Sequence, residues 1–195
     1  MSKKSILRSV AIVIACLAAV TMFSNCSKDK DKDGEGGGSS WQEKKNVYVN
    51  IDGVKYSPYD RITPQDFINA GYTTDVNLDQ DYEYGVTPNP ITIYKDGSEY
   101  FEIQLMFYQN KKLKDCVIDE FKFSDKGISV FGGITIGSTE EEVRKIFGKP
   151  KIQDENWLVY DSGGKNGVIY DFSLGWNSAT AGKVSKIRLV CFLEK

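Results

Sequence analysis

The sequence predicts an α+β fold of two similar halves, each a short helix followed by an antiparallel meander. Three observations predict it. The 11 Tyr and 10 Phe cluster in segments where apolar and polar residues alternate, the period of a half-buried strand. Two other segments carry helix start and stop signals. The order helix, strand, turn, strand, loop, strand also occurs twice. Thr63, Phe67 and Gly71 answer to Thr139, Val143 and Gly148, a likeness of pattern rather than identity.

The first half, residues 46–130, opens on NVYVNIDG, where Val47, Val49 and Ile51 alternate with Tyr48 and Asn50. Asp52-Gly53 is a hairpin turn, and VKYSPY returns. In ITPQDFINAGY, Thr63 caps a helix, Pro64 takes its first position and Gly71 ends it. Residues 73–90 are polar and irregular. ITIYKDGSEYFEIQLMFY is a strand, an Asp96-Gly97 turn and a long strand with Phe101, Ile103, Leu105 and Phe107 on one face. CVIDEFKF adds another strand.

The second half, residues 131–195, begins at GGITIGSTEEEVRKIFGKP. Ser138 as cap and Glu141 three residues on make a capping box, and Val143, Ile146 and Phe147 form the apolar stripe. Gly148 stops the helix and Pro150 prevents its resumption. NWLVYD is a strand, the glycine-rich DSGGKNG is a hairpin loop, and VIYDFSLGW alternates from Val168 through Trp176. KVSKIRLVCF closes the chain.

The N-terminus reads as a targeting segment. Lys3, Lys4 and Arg8 precede an apolar run from Val10 to Phe23 that turns polar at once, the layout of a secretory signal over residues 1–25. Residues 26–45 read as a charged, glycine-rich linker. Asp29, Asp31, Asp33 and Gly34 match the first half of a calcium-binding EF-hand loop, but its twelfth position is Ser40 and neither flank provides a helix. Ser24-Asn25-Cys26 resembles the cleavage site of a bacterial lipoprotein, with Phe23 for the usual Leu and Asn25 for a smaller residue. The resemblance implies an acyl anchor on Cys26, enough for stable membrane attachment with two or three chains. Val13-Ile14-Ala15-Cys16 is a second, less suitable box, and an uncleaved anchor is the remaining reading. Each puts the folded part outside the cytoplasm beside a membrane, on the periplasmic or the cell-surface side of an outer membrane.

Composition narrows the chemistry. Without Lys3, Lys4 and Arg8 the chain has 22 basic residues against 27 acids, a formal charge of −5, which argues against nucleic acid as a partner. There is no histidine, which removes the His-dependent triads and most zinc sites. No residues are assigned to catalysis, cofactor or metal. In DVNLDQDYEYG, Asp75, Asn77, Asp79, Asp81 and Glu83 alternate, but Gln80 and Val86 occupy calcium-loop positions that need Gly and Glu. Tyr82 and Tyr84 in that stretch are candidate partner contacts, since exposed tyrosines favour interfaces; the alternative is that they cover an edge of the core. Cys116 falls on the face of its strand opposite Phe121 and Phe123, while Cys191 shares a face with Ile187 and Leu189. A disulfide between them and two free thiols both remain open.

GSTEEEVRKIFGKP, then NWLVY and KVSKIRLV, resembles the SmpA/OmlA (BamE-like) lipoprotein domain through Gly137, Thr139, Val143, Gly148, Pro150, Trp157 and Tyr160. Tandem copies of that unit make the fold of β-lactamase inhibitor proteins. The resemblance covers about residues 132–192 and implies an envelope scaffold or binder. The expected function is a non-enzymatic, lipid-anchored module for an envelope protein or glycan. The alternatives are a carboxylate-based glycan hydrolase or its accessory, and a periplasmic enzyme inhibitor.

Overall fold

In the computed structural model, residues 40–83, 85–87, 90–106 and 111–193 are described. The chain divides at Gly37/Gly38 into two units, and everything below concerns the second. The signal segment, Cys16, Cys26, the aspartates of the EF-hand-like stretch, Tyr84 and Phe107 lie outside the described residues.

The strands are β1 (Val49–Ile51), β2 (Val54–Tyr56), β3 (Ile91–Lys95), β4 (Ser98–Leu105), β5 (Ile118–Phe123), β6 (Ile128–Val130), β7 (Ile152–Asp154), β8 (Trp157–Asp161), β9 (Val168–Leu174) and β10 (Val184–Cys191). The α-helices among the described residues are α1 (Pro64–Asn69) and α2 (Glu140–Phe147), six and eight residues long. A three-stranded sheet runs β2-β1-β6 and a seven-stranded sheet runs β3-β4-β5-β10-β9-β8-β7. Every pair of neighbouring strands is antiparallel.

This corrects the expected fold class. The protein is mostly β, with ten strands among the described residues in two antiparallel sheets, and does not form two helix-plus-meander halves. The decisive pairing is β5 with β10, in register Phe121↔Leu189, which runs one sheet through both expected halves. That pairing satisfies backbone donors and acceptors that would be unpaired edges if each half closed on itself.

Local signals were otherwise close. Asp52-Gly53 and Asp96-Gly97 have positive φ at both positions, as a two-residue type I′ hairpin turn requires. Thr63 and Asp66 form a capping box on α1. On α2 the cap is Thr139, with Glu142 as its partner, one residue later than expected. Ser138 is occupied elsewhere: its carbonyl accepts from the Val184 N–H at 2.7 Å and its hydroxyl accepts from the Thr135 N–H at 3.2 Å.

The core lies on one face of the large sheet. Phe67 of α1 meets Phe101 and Phe121 at ring-centroid distances of 5.0 and 6.2 Å. Phe147 of α2 meets Tyr160, Tyr170 and Phe172 at 5.2, 4.9 and 5.1 Å. Trp41, inside the expected linker, is only 3% exposed and its indole N–H donates to the Phe147 carbonyl at 3.1 Å. Folded structure therefore begins before residue 46.

Candidate functional site

Strand alternation places Glu102, Lys122, Arg188 and Asp171 on the opposite face of the large sheet, side by side in one row. They are direct partners across β4, β5, β10 and β9, so their signs read minus, plus, plus, minus. Cross-strand neighbours of opposite sign stabilise a sheet and like signs oppose it. The central pair of cations is relieved on both sides. Lys122 pairs with Glu102. Arg188 takes Glu120 from the next row in a bidentate grip, Nε to Oε1 at 2.7 Å and Nη2 to Oε2 at 2.6 Å.

Burial differs along the row. The Glu120 side chain is 5% exposed while that of Arg188 is 41% exposed, so the carboxylate sits within the sheet surface and the guanidinium covers it. The hydrogen bonds that Arg188 donates to Glu120 hold its pKa above the ordinary value against the opposing effect of burial. Asp171 is 9% exposed. Burial pushes its carboxyl up, and the hydrogen bond donated by the Trp157 indole N–H opposes that rise. Trp157 itself is 38% exposed, so Asp171 fixes an aromatic ring that solvent still reaches.

A β-bulge shapes this region. Gln104 pairs with Glu120 and Leu105 with Ile118, leaving Asp119 as the extra residue of β5. The bulge brings Ile118 back to the core side, where it is fully buried. Burial, and then the neighbouring Glu120, push the Asp119 carboxyl up to about 6.

Two troughs open on this face. One, of about 310 Å³, includes Glu102, Lys122, Lys186 and Tyr100 in its lining. The other, of about 640 Å³, is lined by Asp154, Glu155, Asn156, Trp157, Asp171 and Ser173.

The residues singled out from sequence fall elsewhere. Tyr82 is 9% exposed and belongs to the core, which is the edge-covering alternative rather than an open contact surface. Two of the acids around it are paired: Asp79 with Lys114 at 2.7 Å and Asp81 with Lys112 at 3.1 Å. These contacts pin the polar loop to residues 112–114. Cys116 and Cys191 are free and buried. Cys116 lies before the start of β5, with its thiol donating to the Lys112 carbonyl at 3.4 Å, so the face assigned to it by strand alternation does not apply. DSGGKNG does join β8 to β9 as a hairpin connection. Sequence reading missed Glu120, Arg188 and Asp171. The signal available was three charged residues inside strongly apolar strands at cross-strand positions.

No family model, curated protein or solved structure matches this chain.

Proposed function

We propose that this is a non-enzymatic binding module of the bacterial cell envelope, anchored through acylated Cys26, that presents the outer face of its large sheet to a partner. One observation carries the reading. That face combines an ion-paired charged row with a half-exposed tryptophan held in place by Asp171. Aromatic anchors beside satisfied polar groups are the composition of recognition surfaces. The resemblance to SmpA/OmlA lipoproteins supports the same reading through its implied class, envelope binders.

The test has two arms. Full-length chain and Cys26→Ser are compared for membrane partition and for co-purifying partners, and then Trp157→Ala is compared at constant anchor. The expected result is loss of membrane partition in Cys26→Ser and loss of partners in Trp157→Ala. A Cys26→Ser chain that still partitions with membranes, with uncleaved precursor equally abundant in both, would overturn the anchor.

A second reading, a carboxylate hydrolase, is favoured by one specific feature: Glu120 and Asp171 are both buried on the same face. Against it, Glu120 is held by Arg188 and Asp171 by Trp157, whereas paired catalytic carboxylates must reach the scissile bond. Turnover of a glycan that is abolished by both Glu120→Gln and Asp171→Asn would establish this reading over the first.

A further inference from the structure

We infer that the trough around Trp157 seats a lysine or arginine side chain of a protein partner. The inference rests on the binding-module reading and names the partner chemistry of its face.

The geometry begins with the β7–β8 hairpin. Asp154 is the direct cross-strand partner of Trp157, and Ser173 is its partner on the other side. Asp171, two residues from Ser173 on the same face of β9, accepts the indole N–H. This bond directs the polar edge of the ring into the sheet and leaves part of the ring to solvent. Three carboxylates, Asp154, Glu155 and Asp171, line the trough together with that ring. Arg188, the direct partner of Asp171 on β10, and then Lys186 act on its carboxylate, but the Lys186 side chain lines the other trough. Arg188 is already held by Glu120. The trough therefore keeps an excess of negative charge beside an aromatic face. A cation over an indole is attracted by the ring quadrupole, and more strongly where carboxylates neutralise it.

One exposed apolar side chain continues from the ring: Ile152 is 52% exposed, beside its direct β8 partner Val159, which is buried on the same face. The methylene stem of a lysine or arginine covers such a surface while its head reaches the acids. A neutral sugar would stack on the ring but leave the charge of the trough unanswered.

The experiment uses the full chain carrying Trp176→Phe, because Trp176 is 83% exposed and Trp41 only 3%. The remaining exposed indole then reports on the trough. The probes are hexalysine amide, its fully Nε-acetylated form, and a neutral cello- or chito-hexaose. The expected result is saturable quenching or shift by hexalysine, with no response to the acetylated peptide. Affinity, measured for the variants by titration calorimetry because Trp157→Ala removes the reporting indole, should fall roughly tenfold in Trp157→Ala and roughly three- to tenfold in Asp154→Asn/Glu155→Gln. The second variant changes only hairpin side chains and keeps the test alive if Trp157→Ala fails to fold. Hexalysine binding that both variants leave unchanged overturns the inference, as does saturation by the neutral hexaose alone.

A photo-crosslinking residue at Asn156, which lines the trough, or at Lys122, in membranes, separates this inference from the reading beneath it. A partner captured from 122 and not from 156 overturns the lysine seat and keeps the binding face. Capture from neither position overturns both.

Discussion

On the inner face of the large sheet, Phe101, Ile103, Phe121, Leu189, Tyr170 and Phe172 sit between 0 and 4% exposed against two helices. On the outer face of the same strands, Glu102 and Lys122 keep about a third of their side chains in water, while Glu120 in the next row keeps almost none. The inner face is held by apolar burial, which is non-directional and tolerant of exchange. The outer face is held by specific donor–acceptor pairs, where removing one member strands the other. One sheet thus has a face that sets stability by volume and a face that sets it by pairing. The second kind leaves charge and ring surface available to a partner.

The sharpest way to break the comparison is to cut the inner face. Phe147→Ala removes the ring around which Trp41, Tyr160, Tyr170 and Phe172 pack. It should cost about 3–5 kcal/mol in a denaturant titration. Arg188→Ala should cost about 3 kcal/mol, the low end for a broken buried pair because the guanidinium is itself 41% exposed. The double variant Glu120→Gln/Arg188→Met should recover most of that loss, which a volume-governed face would not show.

A third effect runs with pH. Asp119 titrates at about 6 in the folded protein against about 3.9 unfolded. Between those values the folded state binds the extra proton, so its contribution to stability rises as pH falls from 6 to 4 and is lost as pH rises through 6. Asp119→Asn should flatten this part of the stability–pH profile and stabilise the protein at pH 7, by at most about 3 kcal/mol. Asp52 should show the opposite sign. Hydrogen bonds from Lys95 and Tyr72 hold its carboxyl below the usual range, so its contribution is present above about pH 4 and is lost as pH falls through its lowered folded value. The smallest effect belongs to the exposed loop: Lys114→Ala, which breaks the pair with Asp79, should leave the thermal midpoint unchanged within error.

How much of this was legible follows from distance along the chain. The turns at Asp52-Gly53 and Asp96-Gly97, the α1 cap at Thr63 and the stripe of α2 depend on neighbours within a few residues, and sequence placed them. The fold class did not follow, because β5 meets β10 across more than sixty residues and no local pattern announces a partner so remote. Trp41 was hidden by the glycine-rich stretch before it. Trp176 was assigned to the buried alternation of β9, but the strand ends at Leu174 and the ring lies in solvent. Of the candidate site, only Trp157 had been singled out, as a matching residue of a family resemblance. Glu120 and Arg188 look like ordinary surface charges until the strands that carry them are paired.

Trp41 has a consequence for how the chain folds. Its indole N–H bond to Phe147 spans 106 residues, and the Tyr170 hydroxyl bond to the Asn46 carbonyl spans 124. Closing loops of that length is entropically expensive and slows folding. A chain that emerges N-terminus first cannot assemble the surroundings of Trp41 until β9 has followed it out. Burial of Trp41 therefore requires both ends of the folded unit to be in place, and its fluorescence reports on that long-range assembly.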